Sequence, residues 1–599
     1  MWHSQKHAKP TRQKLSNPRM NKAELLSRRT LAALACCAVL TAGSGVAGAE
    51  VTFNGLSERQ EANARALVRL VSAECQTNRW RVERLFRDAD EDLERSLQAL
   101  GYYDATIIKT LTWDEDCWHA EFEVSTGEPV RLRQIDVQVD GQEPDDSWLP
   151  DAVGDLQPIE GAILNHGDYE RLKTAVLNAA ANKGFFDAAF TRREVIVDPD
   201  SLSADLHLHL TSGPRYRFGE VSFTDGILRE DLLEKYTDIE EGDYFDAEAI
   251  ASLHDALNGS SYFSSVQIRT DRADEAALVA PVDVALTPGI RRSYSVGAGF
   301  ATDTGPQGRL GYINRRVNDR GHQFEARAFV SDTNSELTGQ YRWPVRNPRT
   351  DWASIIGGAQ HEDTETSEND TYKIGYVRTQ SLSENWLWSR SVDYSYEDFA
   401  IGDQDEVSRL LIFGVNFESA IGREISRSAG GRRINFNLRG ASESVASDTS
   451  FLQFMATTRW LWSLTDKTRL FLRGRLGTTI KDNLADLPVS VRFFTGGDRS
   501  VRGYDYESLG PTDDNGAVIG GSHLIEASIE FDRMLTENWS IAAFADTGSA
   551  FSSSPEFSSG IGLGIRWYSP VGPVRIDLAH PLDDPDRDFR FHIVLGPDL

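Results

Sequence analysis

Between residues 492 and 504 the chain reads Arg-Phe-Phe-Thr-Gly-Gly-Asp-Arg-Ser-Val-Arg-Gly-Tyr, which sets guanidinium groups among glycines. A guanidinium presents its donors in a rigid planar fork and pairs best with carboxylates. Acceptors lie downstream: alternation in Ile525 to Phe531 and in Ile541 to Asp546 puts Glu530 and Asp546 on the polar faces of two strands. If those faces line a barrel, Arg502 reaches both carboxylates, and Asp498, Arg499, Gly503 and Tyr504 belong to the same loop latch. The stretch from Asp482 to His523 exceeds the roughly 15 residues of ordinary unstructured loops, so it is expected to fold inward. The plainer alternative is a pore loop whose arginine tunes ion selectivity.

No other residues combine into reactive chemistry. Ser293, His322 and Asp351 form no nucleophile–base spacing, and His119 beside Cys117 is not completed to a tetrahedral ligand set. The chain therefore reads as a non-enzyme with no cofactor, no metal and no catalytic residue. Cys75 and Cys117 are the two cysteines outside the N-terminal region, an even count that in an exported chain implies one disulfide.

The elements that would hold the latch begin at Ile290. From there the text consists of segments of alternating polarity, sixteen in all, the first starting near Ser293 and the last near Phe589, separated by Asp, Asn, Ser and Gly. An even count suits a closed antiparallel barrel, expected over residues 290–599. In Gly560 to Tyr568, Ile561, Leu563, Ile565 and Trp567 share one face and Arg566 with the glycines the other, as lipid outside and water inside require. Tryptophans such as Trp343, Trp352, Trp386, Trp460 and Trp539 fall near strand ends, where an interfacial girdle would place them. A soluble β-sandwich or propeller is the alternative.

Upstream, Gly101-Tyr102-Tyr103, Gly184-Phe185-Phe186 and Ser261-Tyr262-Phe263 recur about 80 residues apart, a period that means an array of domains. Apolar residues at helical spacing, such as Tyr169, Leu172, Val176, Leu177 and Ala180, support a β-α-α-β-β reading for each module. The modules are expected at residues 50–127, 128–213 and 214–289. Small sheets of this size leave edges open for strand addition, unless the modules serve only as spacers.

Residues 1–49 read as a removed export signal: Arg28-Arg29, an apolar run from Leu31 to Leu40, then Ala47-Gly48-Ala49. The remainder carries 55 Lys and Arg against 90 Asp and Glu, a net charge of −35, which argues against nucleic acid as a partner.

The 492–504 segment resembles the sixth-loop motif of the BamA/TamA superfamily of outer-membrane assembly factors. Further stretches resemble the TamA branch: Ala99 to Tyr103, Asn165 to Glu170, Arg215 to Gly219, Ser569 to Pro573 and Leu595 to Pro597. Three modules also fit that branch, whose members carry three POTRA domains. The resemblance implies Arg502 as the loop arginine with Glu530 and Asp546 as lumenal partners. It further implies insertion of nascent β-barrel and autotransporter substrates into outer-membrane lipid, alongside a TamB-like inner-membrane partner. A two-partner-secretion transporter, passing unfolded polypeptide through the lumen, is the alternative. Insertion would proceed at a lateral gate between the first strand, with Ser293, Ser295, Gly297 and Gly299, and the last, with Phe591, Ile593, Leu595 and Gly596. A crosslink between residues 295 and 593 is expected to lock it.

Overall fold

The computed structural model describes residues 49–599 apart from residue 116 and the segments 142–147, 149–152, 155–156, 225–226, 271–276, 423–429, 570–571, 585–587 and 597–599. The expected export signal lies outside the described residues, save its final alanine.

Three three-stranded sheets come first. They comprise β1 (Glu50–Asn54), β2 (Thr106–Trp113) and β3 (Trp118–Ser125); β4 (Arg131–Asp140), β5 (Ala189–Asp198) and β6 (Ser203–Thr211); and β7 (Arg217–Thr224), β8 (Phe263–Thr270) and β9 (Val279–Pro288). In each the last strand is central, the order being β1-β3-β2, β4-β6-β5 and β7-β9-β8. The first strand runs parallel to the central one and the second antiparallel in the first and third sheets. Parallel pairing demands a crossover, and helices supply it. In the first module these are α1 (Glu58–Leu67) and α2 (Arg79–Gln98). In the second, α3 (His166–Asn182) buries Tyr169, Leu172, Val176 and Ala180, while Leu177, expected on the same stripe, stays half-buried at its margin. Cys75 and Cys117 are bonded, with Cα atoms 4.6 Å apart, and tie the segment before α2 to the start of β3.

Sixteen strands, β10 to β25, then close into an antiparallel barrel in sequence order. Each begins within a few residues of a position read from alternation alone. Outward residues are exposed because a bilayer is what covers them: Leu563 is 69% exposed and Phe591 61%. Their inward neighbours Arg566 and His592 are buried. The wall is uneven. Its longest strand, Gln404–Ile421, has 18 residues; β10 (Arg292–Ala301) has 10 and β25 (Arg590–Leu595) only 6. A membrane-crossing strand needs about 9–11 residues, so β25 falls short.

The third module is fixed to the barrel end from which β10 starts. The Tyr262 hydroxyl donates to the Gly321 carbonyl at 2.5 Å, and Arg349 pairs with Asp238 at 3.2 Å. Trp352 packs on the module's apolar core, so it is a docking residue and not the girdle residue that its place near a strand end suggested.

Candidate functional site

Because β10 leaves the module end, every second hairpin connection lies at the opposite, distal end. The connection between β20 (Thr468–Lys481) and β21 (His523–Met534) is one of these. It folds back into the lumen. Short bridges, Phe493 with Gly521 and Thr495 with Leu509, give it internal structure. Side chains from the wall hold it: Arg473 donates to the Ser500 carbonyl at 2.8 Å, Thr495 donates to Glu526 at 2.7 Å, and Arg492 reaches Gln404 at 2.7 Å.

At its tip, Arg502 spreads its fork over three strands: β21, β22 (Trp539–Phe551) and β24 (Gly572–Pro581). Nε and Nη2 bond Asp546 at 2.6 and 3.0 Å, and Nη1 bonds Glu530 at 2.8 Å and Asp577 at 3.2 Å. The guanidinium carbon sits 3.4 Å from the centroid of the Phe544 ring, a cation–π contact in a site closed to bulk water. Arg566, on β23 (Ser558–Ser569), bonds Glu530 at 3.0 Å and also pairs with Asp577. Arg575 acts on the same carboxylates through its charge. Arginine charge thus balances the carboxylates of Asp546, Asp577 and the half-buried Glu530, which makes their burial tolerable. The structure brings together Arg502, Glu530 and Asp546; Asp577, Arg566 and Phe544 complete the cluster and were not assigned to it from sequence. Asp577 was legible in principle, as a polar residue between outward Ile576 and Leu578.

Two glycines make this approach possible. Gly503 takes φ +105°, which favours glycine, and a Cβ on Gly560 would lie 2.0 Å from the Arg502 carbonyl oxygen. Tyr504 is buried and donates to the Ser559 carbonyl at 3.3 Å. Arg499 departs from expectation: it stays exposed on the wall of a lumenal cavity of about 540 Å3 and has no carboxylate partner among the described residues. Its neighbour Asp498 turns the other way, toward the strands, and the loop cannot aim both side chains inward.

The same loop spans the meeting of the first and last strands. The Gly503 amide donates to His592 Nε2 at 2.9 Å, which leaves Nδ1 carrying the proton that it donates to Asp498. The Asp498 amide in turn donates to Asp303, in the turn after β10. Burial, then the neighbouring Asp498 charge, pushes the Asp303 carboxyl up to about 6. Arg590 pairs with Asp505 and lies 3.7 Å from Asp303. Alternation in β25 puts His592 and Arg590 inward, opposite Phe591, but names no partner for them.

Backbone pairing across that seam is sparse. β10 matches β25 at Phe300 with Leu595 and Ala301 with Val594, whereas β10 matches its other neighbour at ten positions. Among the described residues Ser293, Ser295 and Gly297 have no partner on β25, and Gly299 faces the Leu595 carbonyl. Phe591, Ile593 and Leu595 pair with β24, and Gly596 donates to the Pro573 carbonyl at 3.1 Å. Ile593 lies level with Thr302, exchanging bonds of 2.6 and 3.0 Å. A 295–593 crosslink therefore does not bridge the seam; those residues are offset by roughly 23 Å along the strand.

These features define a class: a closed membrane barrel preceded along the chain by an array of modules, with an inserted arginine loop in its lumen. The chain belongs to the Omp85 superfamily, whose domain matches residues 293–598, and residues 50–126 match a POTRA domain described as TamA domain 1. It is an outer-membrane protein with its POTRA domains in the periplasm. It is similar to the outer membrane protein assembly factor BamA of Nitratidesulfovibrio vulgaris, 24% identical over 61% of this chain and 48% of that protein. It is also similar to BamA of Neisseria meningitidis, 24% identical over 86% of this chain and 73% of that one. The chain thus spans about half the length of the first of these relatives. The crystal structure of Haemophilus ducreyi BamA lacking POTRA domains 1–3 shares the fold, with TM-score 0.65 at 13% identity, covering 78% of this chain and 99% of that structure.

Proposed function

We propose that the protein is a TamA-type assembly factor that inserts β-barrel and autotransporter-type substrates into the outer membrane through the β10–β25 seam, with a TamB-like inner-membrane partner across the periplasm. The carrying observation is the imbalance at the seam, two matched positions against ten on the far side of β10. Unpaired backbone groups in hydrocarbon cost several kcal/mol each. Among the described residues the edge of β10 from Arg292 to Gly299 has no matched residue on β25, and it is therefore a template that an incoming strand caps favourably. The latch keeps the resting barrel shut, because one loop holds the β10 turn through Asp498 and β25 through Gly503. The two-partner-secretion alternative requires an open lumen, and the loop occupies it.

Cysteines at Phe300 and Leu595 test the gate. The crosslinked barrel is expected to stop assembling a co-expressed β-barrel substrate and to recover on reduction, while a Ser295→Cys, Ile593→Cys pair forms no bond. Undiminished assembly by the locked barrel rejects the seam as the route. Co-purification of a very large inner-membrane protein from solubilised membranes tests the partner.

A further inference from the structure

The second sheet carries a cluster that the latch does not use. On its central strand β6, Leu206, Leu208 and Leu210 are buried, so alternation turns His207 and His209 to the opposite, solvent-reachable face. Asp136, on the adjacent strand β4, reaches the same spot. Its Oδ2 lies 2.7 Å from His209 Nε2 and 3.3 Å from His207 Nδ1. Its Oδ1 accepts from the Gln138 amide at 2.6 Å, which fixes the plane of the carboxylate.

We propose that Asp136, His207 and His209 form a binding site for a divalent transition cation of the zinc class. Three donor atoms, one from each residue, lie within 4.8 Å of one another. Ligands of a tetrahedral zinc with bonds of ~2.0–2.1 Å sit about 3.3 Å apart, so the observed Asp–His separations are near those of a loaded site. Two imidazoles with one carboxylate are a donor set that suits zinc and disfavours calcium and magnesium, which take oxygen ligands. Side chains 11–22% exposed leave an entry path and a fourth position for water or a donor from a periplasmic chain. The strong negative charge of the exported chain raises the local cation concentration. Linear spacing could not reveal the site, because Asp136 lies 71 and 73 residues from the histidines.

A second triad, Asp303, Asp498 and His592, is geometrically similar. It is a worse ligand set. With Gly503 donating to Nε2, His592 Nδ1 carries a proton and offers the ion no lone pair.

The test is zinc titration of the full exported chain in detergent, without a histidine tag, in competition with a chromophoric chelator. Expected is one tightly held equivalent, weakened more than tenfold in His207→Gln, His209→Gln and Asp136→Asn. Gln138→Ala should weaken it by the ~10–100-fold typical of outer-shell groups. X-ray absorption of the zinc-loaded wild type should show two imidazole ligands, a readout that needs no variant to fold. The proposal is overturned if the chelator strips the wild type, if the His207→Gln, His209→Gln double variant binds as tightly as wild type, or if Asp498→Asn alone abolishes binding. It stands or falls independently of the gate.

Discussion

Arg502 is the residue on which the lumen depends, because removing its guanidinium leaves Asp546, among the described residues, with hydrogen bonds from Ser528 and, at greater length, from the residue 502 amide. Breaking a buried pair on one side costs about 3–5 kcal/mol, since the partner charge stays desolvated. Arg502→Ala should therefore destabilise the barrel by that amount in denaturant unfolding from micelles. It should also make the 482–522 loop a protease target in intact cells. Arg502→Lys keeps the charge but loses the bidentate bond to Asp546 and should fall between. Wild-type stability and protection in the alanine variant would sink the latch. Arg566 limits the damage to Asp546, since it continues to hold Glu530 and Asp577.

At the scale of elements, the first module adds to its apolar core a disulfide and the half-buried Arg69–Asp92 ion pair. Cys75 and Cys117 close a loop of 42 residues' separation, worth about 4 kcal/mol by chain entropy. Replacing both by serine should lower the first module's unfolding midpoint and leave the barrel's unchanged, as separate calorimetric transitions would report. Asp92 on α2 is buried, which alone would raise its pKa, but Arg69 bonds it at 2.9 and 3.1 Å and the net result is a carboxyl held below its ordinary value. A depressed acid contributes stability that is present in full above the unfolded-state pKa and lost as pH falls through the folded one. Asp92→Asn should flatten the acid limb of the module's stability profile below about pH 4; an unchanged limb would mean other acids set it. The elements themselves were legible because strand alternation and helix spacing are local. The closure was not: Asp577 reaches Arg502 across 75 residues, His592 reaches Gly503 across 89 and Asp303 reaches Asp498 across 195, and only barrel curvature brings them together. Arg499 was misassigned for the complementary reason, since spacing in a loop of glycines fixes no side-chain direction.

For the whole molecule, the coupling that matters runs from the third module into the barrel. A sheet edge that receives a strand can hand it to the seam only if the module holds a fixed pose on the barrel end. Beside the Arg349–Asp238 pair, that pose is held by the buried Tyr262 hydroxyl on the Gly321 carbonyl and by Trp352 against the module's core. The hydrogen bond contributes about 1 kcal/mol and the partly buried indole roughly 2 more. For a domain of this size each kcal/mol moves Tm by about 4–8 °C. The Tyr262→Phe, Trp352→Ala double variant should thus lower the module's melting by on the order of 10 °C while the barrel's midpoint holds. Hydrogen exchange of α4 (Ala247–Gly259) and β9 would locate the loss. Substrate assembly should fall in step, although neither residue lies at the seam. An intact assembly rate in a variant whose module melts early would show that the array delivers substrate without fixed docking, and that the seam selects strands on its own.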